Sequence, residues 1–337
     1  WRAPGGSRDR MIPLRTVDRV ALGAMAVFLA LPLVAAPWLL GDLAIYFAYG
    51  LLAVALAFAW GHCGLLSLGH AVFFGIGAYA MGVLTLGMLP GLEMLRSTWL
   101  GIAFAVALSW ATAWIIGWFA FTGRGLHGAF FGIVTLALAV VFERLATNWV
   151  WLGGLNGLMN VPPLTLGLNG EGVEVWAPMP LYYTTLAVLA AVIAGLTAFQ
   201  RSDRGLALAA IRENELRARA LGYDAGAMKR GAFALSSAVA GLAGALFVAQ
   251  FGFASPSLIG FALSAEALIW VALGGRGELI SAALGVVTIR LLESQLSSRL
   301  ENWWPLVLGL VFMMVVVLLP RGVFGELVHR IARRRGR

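Results

Sequence analysis

Glu266 is the only charged residue between Phe251 and Arg276, set in the apolar stretch "FALSAEALIWVALGG". An ionisable group inside such a run marks a functional position by default. Glu143 and Arg144 stand near the end of another apolar run, where an interfacial position and an ion pair both remain open; as neighbours they do not face each other on a helix. No chain of intramembrane acids of the kind that relays protons is visible. Nor do a nucleophile and base, or paired carboxylates, fall at a spacing that would support a membrane-embedded enzyme. Cys63 is the single cysteine and the four histidines are scattered, so neither a disulfide framework nor a group of metal ligands is expected. The only lysine, Lys229, follows "GAM", so there is no phosphate-binding G-x-x-x-x-G-K-[ST] loop, and ATP hydrolysis is not expected of this chain.

A second group has polar chemistry without charge. "GHCGLLSLGHAVFFGIGAYA" (61–80) holds Gly61, Gly64, Gly69, Gly75 and Gly77 together with Ser67 and His70. Glycine costs a helix about 1 kcal/mol relative to alanine. A segment so rich in it is expected to break, to pack closely on a neighbour, or both. A broken helix would present backbone N–H and C=O groups able to meet the polar groups of a solute. Ser67, Gly69, His70, Gly75, Gly77 and Glu266 are therefore candidates for a solute path. The competing reading is close packing for Gly75 and Gly77, and a bond to a neighbouring backbone for Ser67 and His70. Ser236, Ser237, Gly241 and Gly244 read as packing positions.

These residues sit in a chain of 337 residues that is 61% hydrophobic, with 13 Trp, 19 Phe and a mean hydropathy of +0.87. That composition excludes an ordinary soluble domain and predicts an all-α polytopic transmembrane helical bundle. A hydrocarbon core of about 30 Å needs about 20 apolar residues in helix. By that test, spans are expected near 20–40, 43–60, 65–88, 98–121, 126–147, 181–199, 231–253, 262–275, 279–292 and 303–319. The eighth and ninth are short and could form a broken or re-entrant pair around "GGRG" (274–277), giving about 8–10 spans. With both termini cytoplasmic, 20 of the 24 Lys and Arg fall on inner segments, as the positive-inside rule requires. The +8 charge then needs no nucleic acid to explain it. Met11 could be a natural start, and the first apolar run has no A-x-A-like cleavage site, so a cleaved signal peptide is not expected.

One block cannot enter the bilayer. Residues 201–230 carry 11 of the 40 charges, and each would cost about 2.5–3.5 kcal/mol at the membrane centre. Glu213 with Arg217, and Glu215 with Arg219, stand four apart with the acid first, which supports a helix. Leu208 and Ile211 supply an apolar edge, and Gly222 falls where a left-handed cap would end the helix. A solvated surface helix would explain this pattern. So would a docking lever in which Leu208, Ile211 and Leu221 enter a partner's groove and the charges set orientation.

The run "AIRENELRARALGYDAGAMKRGAFALSSAVAGLAGAL" (210–246) resembles the cytoplasmic loop and following helix of permease subunits in ATP-binding-cassette importers for branched-chain, hydrophobic amino acids. The 61–80 segment resembles the same permeases, as do "SAEALIWVALGGRGELISAALG" (264–285) and "LVLGLVFMMVVVLLPRGVFG" (306–325), so the likeness runs in order over roughly 43–325. It implies a second related permease as heterodimer partner, two cytoplasmic ATP-binding subunits that hold the ATP and Mg, and an extracytoplasmic substrate-binding protein. It further implies residence in the bacterial inner membrane among lipid. Asp203 to Gly226 would be the coupling segment, with Arg212, Glu213, Asn214, Glu215, Leu221 and Gly222 at matched positions. Asn156, in "WLGGLNGLMNVPP", matches the Gly-Gly-x-Asn-Gly often found in the substrate-side loop.

The implied organisation is a cytoplasmic tail at 1–19, a permease domain at 20–325 with its coupling segment at 201–230 and outer loop at 148–180, and a basic tail at 326–337. Permeases for urea or short amides share the "EALIWVALGGRG" type of segment and keep that substrate class open. An ion-coupled secondary transporter, for which 201–230 would be a plain loop, is the alternative from another class.

Overall fold

The computed structural model describes residues 14–91, 96–122, 128–165 and 174–300, with a few further positions between 303 and 326. Among these, helix dominates: α1 (Leu14–Ala30), α2 (Pro37–Ala57), α3 (Ala71–Thr85), α4 (Thr98–Phe121), α5 (Ala129–Asn148), α6 (Pro178–Arg201), α7 (Asp203–Glu213), α8 (Glu215–Ala220), α9 (Ala225–Phe251), α10 (Phe261–Gly274) and α11 (Leu279–Leu300). A two-residue antiparallel pair, β1 (Leu158–Met159) with β2 (Phe253–Ala254), is the one sheet among the described residues. Seven of the described helical stretches are long and apolar enough to cross a membrane. The chain is thus the polytopic helical bundle that its hydropathy predicts.

The two central helices are apolar all round. The membrane-length window is 78% buried in the stretch formed by α2 and the π turn Phe58–His62, and 89% buried in α9, against 28% in α4 and α5. A helix without a polar face belongs inside a bundle. α4 and α5 instead turn Trp110, Ile115, Trp118, Phe119, Phe130 and Ile133 outward, as a lipid-facing flank would.

The crossing of α3 on α9 depends on missing side chains. A Cβ on Gly77 would overlap the Gly241 carbonyl, and one on Gly244 would overlap the Phe74 carbonyl. With the backbones this close, Ser109 of α4 donates to the Phe73 carbonyl at 3.1 Å and locks a third helix to the pair.

Helix ends gather on two faces. On one, His62 Nε2 lies 3.0 Å from the Gly205 carbonyl of α7, and Arg276, in the 275–278 turn between α10 and α11, sits over the Trp60 ring. On the other lie the β1–β2 pair, the Thr98–Thr165 hydrogen bond, and Tyr182, which donates to the Phe28 carbonyl and ties α6 to α1. The loops alternate as the charge pattern implies, with 61–64, 201–230 and 276 together and the 148–165 segment opposite.

Two expected spans need correction. The 20–40 run is not one helix: α1 ends at Ala30, a 3-10 turn follows at Leu31–Leu33, and α2 restarts with Pro37 in its first turn. Proline there removes a donor that the first turn leaves unused, so hydropathy passes over the break without a signal. Of 65–88 only α3 is helical; its 15 residues reach about 22 Å. In the pair at 262–275 and 279–292, α11 has 22 residues and α10 with its preceding turn has 19, so each is long and apolar enough to cross. Most of the 303–319 span, Arg124 and most of both tails lie outside the described residues.

Candidate functional site

The charged block folds as an elbow outside the bundle. Ser202 caps α7, its hydroxyl oxygen accepting from the Gly205 N–H at 3.3 Å. Asn214 breaks the helix: its backbone is extended, and its Oδ1 accepts from the Arg217 N–H at 2.9 Å to start α8. Gly222, at φ +90°, ends α8 in a left-handed turn, and Asp224 caps α9 through the Ala227 N–H. Asparagine is a strong cap because its side chain replaces the backbone partner that the first turn lacks.

That break overturns one expected ion pair. Glu213 and Arg217 no longer share a helix face, and Glu213 pairs with Arg212 at 3.1 Å. Glu215 and Arg219 both lie in α8 and pair at 2.7 Å. Glu215 also reaches Lys229 of α9 at 2.5 Å, with the two side chains only 16% and 11% exposed.

Which apolar residues face outward is also corrected. Leu208 and Ile211 are each 2% exposed, packed against this chain's own helices, so they cannot enter a partner's groove. Leu206, Leu216, Leu221 and Tyr223 are the exposed ones. Helical spacing alone does not place Leu216 and Leu221 relative to Leu208 and Ile211, because the turn at Asn214 rotates α8 relative to α7.

Three contacts fasten the elbow to the membrane helices. Arg212 Nη1 donates to the Gly61 carbonyl, its stem lies against Gly64, and His62 meets Gly205. Lys229–Glu215 joins α9 to α8. Cys63, Gly64, Arg212, Glu215 and Lys229 also line a cavity of about 220 Å³ beneath the elbow. These contacts link α7 and α8 to the end of α2 and the start of α9.

The glycine-rich segment turns out to be a joint. Residues 63–70 are not helical, and α3 starts at Ala71, so Gly75 and Gly77 lie within an unbroken helix and serve its packing. Gly69 sits against the Thr135 carbonyl of α5, while the Leu68 N–H donates to Thr135 Oγ1 at 3.0 Å. His70 is fully buried with Nε2 3.0 Å from Ser236 Oγ, and Ser236 in turn donates to the Ala55 carbonyl at 2.6 Å. Because the serine hydrogen is engaged, Nε2 carries the imidazole proton, and Nδ1 is left as a buried acceptor without a partner. Ser67 Oγ is likewise buried and unpartnered. In this conformation Gly69 and His70 join the ends of α2, α3, α5 and α9. Asn156 is exposed on a 3-10 turn at the face opposite the elbow, in a stretch where Gly153, Gly154 and Gly157 all have positive φ.

Glu266 acquires a partner that sequence reading missed. Arg290 Nη2 is 2.9 Å from Glu266 Oε2, and Arg290 Nη1 is 2.8 Å from Glu293. The available signal was an arginine inside the apolar run of α11; 24 residues of separation concealed the pairing. Glu143 lies against Gly260, and Arg144 is exposed. Among the described residues there is no group of three His, Cys, Asp or Glu able to hold a metal.

Comparison with known proteins gives a consistent picture. A family described as "Branched-chain amino acid transport system / permease component" matches residues 38–318. The chain is 31% identical over 295 residues to the high-affinity branched-chain amino acid transport system permease protein LivM of Salmonella typhimurium, covering 82% of this chain and 67% of that protein. Its Escherichia coli counterpart is 30% identical over the same extent. The autoinducer 2 import system permease protein LsrC of an Enterobacter species is 29% identical over 224 residues, 59% of this chain and 61% of its own. No solved structure matches.

Proposed function

This chain belongs to the family of branched-chain amino acid transport permease components, and from that premise we propose that it imports branched-chain or other hydrophobic amino acids by alternating access. It is a multi-pass membrane protein. The proposed setting is the bacterial inner membrane, with both termini and the elbow in the cytoplasm. A second permease completes the conduit, two ATP-binding subunits supply the work with their own ATP and Mg, and an extracytoplasmic binding protein delivers the solute.

The observation that carries this reading is the elbow's construction: exposed Leu206, Leu216, Leu221 and Tyr223 on its outside, and Arg212, His62 and the Glu215–Lys229 pair joining its inside to α2 and α9. Asp203, in the first turn of α7, favours that helix's positive end. When the ATPases close on α8, these fasteners pass a rigid rotation to the central helices. A loop of an ion-driven carrier would need neither the fasteners nor the apolar exterior.

Leu216→Asp with Leu221→Asp is expected to abolish solute-stimulated ATP hydrolysis in the reconstituted complex while leaving the permease folded, because both side chains face away from the fold. Leu208→Asp is expected to destabilise the permease itself by about 3 kcal/mol, from a charge placed in a packed site. Undiminished stimulation in the double variant would refute the coupling role. Uptake of leucine, urea, short amides and autoinducer 2 by that complex assigns the solute.

A further inference from the structure

One ionic cluster stands deep among the transmembrane helices. The Arg290 guanidinium, in α11, lies 4.5 Å from the ring centre of Tyr49 on α2 and 4.8 Å from that of Trp270 on α10. It bonds to Glu266 at 2.9 Å and to Glu293 at 2.8 Å, and its Nε is buried without a partner. Two carboxylates against one guanidinium leave an excess of negative charge. The arginine is enclosed, but Glu266 and Glu293 are 39% and 30% exposed. Ala262 on α10 and Ser294 on α11 are exposed one turn from Glu266 and Arg290. The cluster therefore opens sideways across α2, α10 and α11. Carboxylates at this depth do not face hydrocarbon; they meet water, protein or a polar ligand.

We propose that this face of α2, α10 and α11 is a wall of the solute route, where Glu266 and Glu293 take the ammonium group of an amino acid and Arg290 takes its carboxylate. The inference rests on the reading of the chain as an amino acid permease and names the chemistry that selects the solute. A zwitterion entering the cluster replaces each ion pair it breaks with another of the same kind. A neutral solute breaks the pairs and replaces none, so the cluster discriminates against urea, amides and uncharged sugars. Tyr49 and Trp270 hold the guanidinium by cation–π contact while its carboxylate partners exchange.

Cys63 is the single cysteine and is 1% exposed, so introduced thiols can be read against a quiet background. In the complete transporter in liposomes, Ala262→Cys and Ser294→Cys are expected to react with a membrane-impermeant methanethiosulfonate. Ile115→Cys and Val140→Cys, on the apolar flank, are not. Leucine at ten times its dissociation constant should slow labelling at 262 and 294 by about tenfold. Leucinamide and 4-methylpentanoate, each lacking one of the two charges, should slow it far less. Glu266→Gln should lower leucine uptake by about tenfold or more, the scale of one charge-assisted bond. Labelling at 262 and 294 no faster than on the apolar flank, or equal protection by all three compounds, overturns the inference even if the transporter imports leucine. A transporter that imports no amino acid at all overturns the reading beneath it.

Discussion

Glu215→Ala is expected to leave ATP hydrolysis running in the assembled importer while leucine uptake falls by about a hundredfold, the rate equivalent of roughly 3 kcal/mol. Glu215 is the first residue of α8 and holds Arg219 with one carboxylate oxygen and Lys229 with the other. Its removal leaves the Lys229 ammonium enclosed and unpaired, and breaking a buried pair from one side costs about 3–5 kcal/mol. The structure can relieve that cost cheaply only by letting α8 go. A helix of six residues has no stability of its own, because isolated helices below about 12 residues are marginal. Limited proteolysis should therefore cut the variant between 214 and 222, where the parent resists. Adding Lys229→Met should restore resistance to heat, since no charge is then stranded, without restoring uptake, since no ion pair then joins α8 to α9. A ratio of uptake to hydrolysis equal to the parent's in Glu215→Ala would show that this fastener carries no work.

Gly77→Ala and Gly244→Ala are expected to lower stability by about 3 kcal/mol each, at the upper end of overpacking, and to cut the yield of monodisperse permease. The added methyl in each case meets a backbone carbonyl, of Gly241 or of Phe74, which no rotamer change can move aside. The helices must separate, and the Ser109–Phe73 and His70–Ser236 bonds stretch with them. Gly195 of α6 is the control, having nothing within 4 Å of its Cβ position. There alanine should be neutral or gain about 1 kcal/mol from helix propensity. Thermal unfolding followed by size-exclusion chromatography separates these outcomes. If Gly77→Ala behaves like Gly195→Ala, the close crossing of α3 and α9 is wrong.

Much of the architecture was legible from hydropathy, because in a membrane protein each long apolar run must become a helix that satisfies its own backbone. The charged block was legible as an elbow for the complementary reason that it cannot enter hydrocarbon, and Gly222 was legible as its turn. Asn214 was not seen as a break, since Glu213 and Glu215 both suit a helix and the cap depends on where one side chain points. The roles of Leu208 and Leu221 were assigned together, though 13 positions and a helix break put one inside and the other outside. Burial cost alone singles out Glu266, whereas Arg290 lies 24 residues away on another helix, with no local pattern to pair them.

The amino-acid sequence by itself determined that this chain spans a membrane many times and which segments must stay in water, because these follow from transfer energies summed along the chain. Only the tertiary structure decided which glycines are contacts, which leucines face out, and that Glu266, Arg290 and Glu293 meet between α2, α10 and α11. Those outcomes depend on the rotation and depth at which separate helices dock, and docking is set by shape complementarity between residues far apart in the chain.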